Sequence, residues 1–129
     1  MNSLAFLERA VLEKLLLGNC PELALLREQS DHLTVNSREM TGVGFFTDFS
    51  CPPEIPRLPD RGSYRFGDVA GETNCLQHGI GFVLTVDRGA IAELEGYTYD
   101  EPWPPELGEV KLTYLNHNKR ELNGVCGSK

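Results

Sequence analysis

The chain has 129 residues, 40% of them apolar and 24% charged, which suits one domain with a core of its own and no covalent staples. A formal net charge of −7 argues against nucleic acid as a direct partner, because phosphate contacts need Lys and Arg. No stretch is apolar for long enough to span a membrane, and the opening "MNSLAFLERAVLEKLLLG" is interrupted by Glu8, Arg9, Glu13 and Lys14. It reads neither as a signal-peptide core nor as an anchor, so the chain is expected in the cytoplasm.

Charge and cysteines are unevenly informative. Between Asp87 and Glu109 lie seven acids (Asp87, Glu93, Glu95, Asp100, Glu101, Glu106, Glu109) against Arg88 alone, a net −6 of the chain's −7. Cys20, Cys51, Cys75 and Cys126 are scattered without a Cys-x-x-Cys pair, and without a secretion signal they are expected as reduced thiols. Cys75 and His78 stand at chelating spacing, but no second pair completes a four-ligand set. The expectation is no metal and no cofactor.

Leu4, Leu7, Val11 and Leu15, widened by Leu12 and Leu16, predict a helix over 3–17 with Glu8, Arg9, Glu13 and Lys14 mostly on its other side. Ser3 suits its N-cap and Gly18 its stop. Pro21 costs no intrahelical bond in a first turn, so a second helix is expected to about Leu33, with Leu23, Leu26 and Leu33 on one face. The short Gly18–Cys20 connection makes these two helices an antiparallel hairpin.

From Thr34 onward β-forming residues replace Leu, Glu and Lys. "LTVNSRE" and "GVGFFTDFS" read as paired strands joined near Met40–Gly42. "CPPEIPRLPDRG" carries four prolines within 52–59 and reads as an extended surface loop, since proline cannot donate to a ladder. "SYRFGDVAGETNCL" is a strand weakened by Gly67 and Gly71. "GIGFVLTV" and "AIAELEGY" flank Asp87-Arg88-Gly89, a predicted three-residue hairpin loop with Gly89 in the left-handed position. Pairing Val86 with Ala90 sets Leu84 against Ala92, Phe82 against Leu94 and Ile80 against Gly96 on one face. Gly81, Val83, Thr85, Ile91, Glu93 and Glu95 fall on the other, with Glu95 opposite Gly81. "VKLTYL" is a last strand, and the polar tail 116–129 reads as a frayed terminus or a further edge segment. The expected architecture is α+β: one domain over 1–129, an N-terminal helical hairpin packed on a mainly antiparallel sheet of five or six strands.

"TGVGFFTDF" (41–49) and "HGIGFVLTV" (78–86) repeat one pattern of glycine, β-branched residue, glycine and phenylalanine. A phosphate-binding glycine loop needs a helix after the glycines, whereas both copies run into β-rich sequence. They read as two matched strands whose glycines admit close packing on one face.

No nucleophile or metalloprotease motif is present. Glu93 and Glu95, two apart on one strand, point to the same side with α-carbons roughly 6.6–7 Å apart. They are either a cation or acid–base pair, or plain surface acids. Tyr97 and Tyr99 alternate onto that side, followed by Asp100, Glu101 and Trp103 in a proline-flanked loop. Large aromatics among acids suit contact with a basic partner; equally, Trp103 could plug the end of the core.

"SREMTGVGFFTDF" followed by "LEGYTYDEPWP" resembles the pattern of small uncharacterised bacterial cytosolic proteins, and this resemblance brings no catalytic residues with it. In size and acidity the chain is also similar to bacterial immunity proteins, which neutralise basic toxin domains.

Two functional readings follow. The first is a non-catalytic interaction domain that binds a protein partner, basic or a copy of itself, through Glu93, Glu95, Tyr97, Tyr99, Asp100, Glu101 and Trp103. Val83 and Ile91, apolar on the face away from the core, favour a homodimer. The second is a small enzyme or ligand-binding domain with Glu93 and Glu95 at the mouth of a pocket between helices and sheet. Absence of a histidine or nucleophile beside these acids favours the first.

Overall fold

Leucines at three- and four-residue spacing build a helical layer, and alternating apolar residues in the strands build the surface it covers. A computed structural model describes residues 4–115. The expected cap at Ser3 and the tail 116–129 lie outside the described residues. Helices α1 (Leu4–Leu15) and α2 (Pro21–Ser30) precede β1 (Thr34–Met40), β2 (Gly44–Ser50), β3 (Ser63–Phe66), β4 (Val69–Glu72), β5 (Ile80–Asp87), β6 (Ala90–Thr98) and β7 (Lys111–Tyr114). Among the described residues no helix is long and apolar enough to cross a membrane.

The domain is α+β as expected, but its antiparallel sheet has seven strands rather than five or six. The extra strand comes from 63–72, which breaks at Gly67–Asp68 into β3 and β4, both pairing with β5. Phe66 pairs with Leu84 and Ala70 with Gly81, so one residue is extra between them, as in a bulge. Gly67 permits the break: a Cβ there would stand 2.0 Å from the Phe82 carbonyl oxygen. The strand order is β1-β2-β6-β5-β4-β7.

The helices cover one face of this sheet, α2 over β6 and α1 over β4. Leu7, Val11 and Leu15 of α1 and Leu23 and Leu26 of α2 are buried together with Phe45, Ile80, Phe82, Leu84, Val86, Ile91 and Leu94. Each such side chain removed from water contributes about 1.5–3 kcal/mol. Trp103, Val110 and Leu112 close the cluster from the side. α2 stops at Ser30, short of Leu33, because the amides of Asp31 and His32 reach back three residues to Glu28 and Gln29 and tighten the last turn.

Two polar side chains reach into this apolar layer. Glu8 does not lie with the solvent-facing charges of α1; it is 4% exposed. Arg38 donates to its carboxylate through Nε and Nη2, each at 2.8 Å, and the Thr47 hydroxyl donates to it as well. Arg38 and Thr47 are register partners on β1 and β2, so one cross-strand pair holds one helix carboxylate. Gln29 of α2 is fully buried. Its Nε2 donates to Gly89 O at 2.9 Å and Pro56 O at 3.0 Å, and its Oε1 accepts from Ile91 N–H at 2.9 Å. Helix, proline-rich loop and hairpin turn therefore share one amide.

That turn corrects the expected register. Asp87 pairs with Ala90, leaving Arg88-Gly89 as a two-residue loop with φ of 54° and 81°, as a type I′ turn requires. A bulge then takes up Ala92, so Val86 pairs with Ile91, Leu84 with Leu94, Phe82 with Gly96 and Ile80 with Thr98. Ile91 consequently faces the core and is 1% exposed, against its expected place on the other face. Gly89 is also pressed against the proline-rich loop: its carbonyl accepts from Leu58 N–H, and a Cβ would meet Leu58 O at 2.0 Å. Arg57 holds the loop itself by donating to the carbonyls of Cys51, Pro52 and Ile55.

Among the described residues the cysteine state differs from expectation at Cys20. Cys20, between the helices, is disulfide-bonded, while Cys51 and Cys75 are free thiols. Scattered spacing carries no signal for such a bond, since pairing depends on approach in space.

Candidate partner-binding face

Strand alternation places a second set of residues on the face that neither helix covers. Along β6 these are Glu93, Glu95 and Tyr97, between the core residues Leu94 and Gly96. Register carries the set sideways: Asp48 and Phe46 on β2 pair with Glu93 and Glu95, and Ser37 and Glu39 on β1 pair with Asp48 and Phe46. On the other side Thr85 and Val83 of β5 pair with Glu93 and Glu95, and Arg65 of β3 pairs with Thr85.

Three carboxylates thus crowd the centre of the face. Asp48 and Glu93 are directly opposed across β2 and β6, an arrangement that like charges disfavour. Ser37 Oγ donates to Asp48 Oδ2 at 3.1 Å, and Arg65 Nη2 donates to Glu95 Oε1 at 3.0 Å. Burial in the half-covered surface pushes the Glu93 carboxyl above its usual range. The charge of Asp48, a side-chain hydrogen bond with it, and the charge of Glu95 push the same way, with Arg65 opposing.

Next to the acids stands a tyrosine pair. Tyr97 is opposite Gly81, where the sequence register had put Glu95; Glu95 is opposite Val83 instead. The Tyr97 and Tyr99 rings meet edge to face, centroids 5.4 Å apart at 70°. Both hydroxyl ends lie over Gly81: a Cβ there would stand 2.4 Å from Tyr97 Cζ and 2.6 Å from each hydroxyl oxygen. Partial burial, then the hydrogen bond with Tyr97 and its charge, push the Tyr99 phenol up to about 12. The glycines of the two matched strands do as their pattern predicts. Gly44 lies against the β6 backbone and Gly81 under the tyrosines, both serving close packing.

Of the seven residues singled out in the sequence, Glu93, Glu95, Tyr97 and Tyr99 are brought together and three are not. Trp103 packs edge-on to Phe45, centroids 5.5 Å apart at 79°, and its backbone N–H donates to Gly42 O at 2.7 Å. Phe45 belongs to the core side of the sheet, so the indole closes the end of the core. The Glu101 carboxylate accepts from the amides of Gln77 at 2.9 Å and His78 at 2.8 Å. Those two bonds hold its carboxyl below the ordinary glutamate range, and they fix the 73–79 loop. Asp100 occupies a left-handed turn position, φ 61°. Asp48, Phe46 and Arg65 were missed, although the first two alternate with Phe45 and Thr47 in "GFFTDF" and so belong with the glycine side of that strand.

Among the described residues Glu93 and Glu95 lie on the sheet face turned away from both helices, so they do not stand at the mouth of a space between helices and sheet. A cleft of about 730 Å³ lined by Glu72, Asn74, Gln77, His78, Glu109 and Lys111 lies at the β4–β5 loop, and it too contains none of the seven. Among the described residues no group of three or more His, Cys, Asp or Glu side chains is arranged to hold a metal ion. No protein-family model, curated protein or solved structure matches this chain.

Proposed function

We propose that the protein is a non-catalytic interaction domain that binds a basic segment of a protein partner on the open face of its sheet. One observation carries this reading: Asp48, Glu93 and Glu95 stand beside a locked tyrosine pair on a face that neither helix covers. Acids there steer a basic partner and make association salt-sensitive. The rings offer contact area, and a face for Arg or Lys, at little cost in side-chain entropy. Like charge argues against a second copy seated face to face, and the support for a homodimer from Val83 and Ile91 is gone, since Ile91 is a core residue. The similarity to immunity proteins in size and acidity fits a basic toxin domain as partner. For compartment we propose the cytoplasm, against which the bonded state of Cys20 weighs, since disulfides persist in oxidising surroundings.

Fluorescence anisotropy with a labelled arginine-rich peptide tests the reading. Binding that weakens at least tenfold in the Asp48→Asn/Glu93→Gln/Glu95→Gln variant, but not in Asp100→Asn/Glu106→Gln, supports the face. Equal binding by both variants removes it.

A further inference from the structure

Cys20 is bonded through its sulfur, and its surroundings make it a fixed anchor. It stands between α1 and α2, half-buried against the core. Arg27 Nη1 holds this linker by donating to Leu16 O at 2.5 Å and Gly18 O at 3.1 Å, and Cys20 O accepts from Ala24 N–H at 3.3 Å in the first turn of α2. The chain has four cysteines, and two of them, Cys51 and Cys75, are free thiols. Burial pushes the Cys51 thiol up, with Arg57 opposing, so it is a poor source of the thiolate that exchange needs. The Cys75 thiol donates to Glu106 O at 3.2 Å. Every cysteine but Cys126 is thereby accounted for.

Reach agrees with this count. At the end of β7 the Tyr114 hydroxyl donates to Lys14 O at 2.8 Å, and the Lys14 ammonium lies 4.4 Å from the centre of the Tyr114 ring. Leu115 therefore follows on beside the last turn of α1, one short linker from Cys20. Six residues of chain from Lys14 to Cys20 cover at most about 22 Å, whereas eleven from Leu115 to Cys126 extend to about 36–40 Å.

We propose that Cys126 supplies the second sulfur and that the Cys20–Cys126 pair is a redox latch, closed in oxidising surroundings and open in reducing ones. The latch is independent of what the open sheet face binds. Closing it removes one electron and one proton from each thiol. Both electrons and both protons pass to a small-molecule disulfide, which leaves as two thiols; a small-molecule thiol as reductant runs the exchange backwards. Residues 20–126 then form one covalent loop that encloses α2 and all seven strands. So long a loop restricts the unfolded chain far more than the folded one, and the closed form is the more stable.

Peptide mapping without reductant tests the pairing. Trypsin is expected to release 15–27 joined through sulfur to 121–129, with only Cys51 and Cys75 taking up iodoacetamide before reduction. A link from Cys20 to any other cysteine, a bond between the Cys20 residues of two chains, or a Cys20 that stays free in oxidised glutathione overturns the assignment. Thermal unfolding tests the latch itself. Dithiothreitol should lower the Tm of the parent by roughly 10 °C or more, and oxidised glutathione should restore it once the reductant is removed. Cys126→Ser should melt with the reduced parent whether or not dithiothreitol is present, while Cys51→Ser should respond as the parent does. A parent Tm that reduction leaves in place, or a Cys126→Ser variant that still responds to dithiothreitol, overturns the latch.

Discussion

The two faces of one sheet differ in what they ask of their residues. Leu94 and Gly96 on the covered side, and Glu93, Glu95 and Tyr97 on the open side, alternate along the same strand. On the covered side the two polar side chains that reach between helices and sheet are each held by several partners: Glu8 by Arg38 and Thr47, Gln29 by Ile91, Gly89 and Pro56. On the open side acids oppose acids and the only ion pair is at the edge, Arg65 with Glu95, among the described residues of that face. The first arrangement stabilises the fold. The second leaves an electrostatic strain that a basic partner or a proton would relieve.

Substitutions should therefore separate by face. Leu84→Ala, at a fully buried site, should cost about 2–5 kcal/mol through lost burial and a cavity, measured by denaturant unfolding. Gln29→Ala should follow at roughly 2–4 kcal/mol, because Ile91 N–H and Pro56 O lose their partner at about 1–3 kcal/mol per buried orphan. Glu8→Ala should cost less, roughly 1–3 kcal/mol, since the Arg38 side chain is 35% exposed and can recover water. An Asp48→Asn variant should be as stable as the parent or slightly more so. An acid-to-amide change on the open face that costs as much as Leu84→Ala would break the comparison.

The glycines sharpen it further. A methyl group at Gly67 would strike the backbone of Phe82, whereas at Gly81 its nearest neighbours are the ends of Tyr97 and Tyr99. Gly67→Ala should thus destabilise strongly. Gly81→Ala should stay within about 1 kcal/mol of the parent while displacing the tyrosines and weakening peptide binding. Equal loss of stability in both would contradict the different roles assigned to these positions.

Stability should also depend on pH in two windows of opposite sign. Glu93 is raised above its model-compound value of 4.5 in the fold, so protonation favours the folded state. Its stabilising contribution is full below the unfolded pKa and is lost as pH rises through the folded one. Glu101 is lowered, so its contribution is present above 4.5 and is lost as pH falls through its folded value. Thermal unfolding should show a small gain on acidification from neutral toward pH 4.5 that vanishes in Glu93→Gln. A later loss below pH 4.5 should be smaller in Glu101→Gln.

Much of this organisation was legible in the sequence because period-2 and period-3.6 patterns report burial directly. The two N-terminal helices, the matched glycine strands and the Glu93/Glu95 side of β6 all follow from that. What was hidden depends on contacts distant in sequence. Glu8 looks solvent-facing until Arg38 and Thr47 arrive from two strands. The two-residue turn and the bulge at Ala92 are invisible in "VDRGAIAEL", where a two-residue and a three-residue turn are both chemically sound, and together they put Ile91 in the core beside Leu94. Trp103 and Glu101 sit among acids in the sequence, yet the turn after Thr98 carries them off the open face to structural posts. The partner of Cys20 could not be read from spacing at all.

The central claim is that the uncovered sheet face binds a basic partner, and backbone amide NMR with the unlabelled arginine-rich peptide tests it most directly. The expected result is shift changes concentrated at Phe46, Asp48, Val83, Glu93, Glu95, Tyr97 and Tyr99, with α1, α2 and Trp103 unmoved. Changes confined to the helices, to Trp103 or to the cleft at Gln77 and His78 would contradict it.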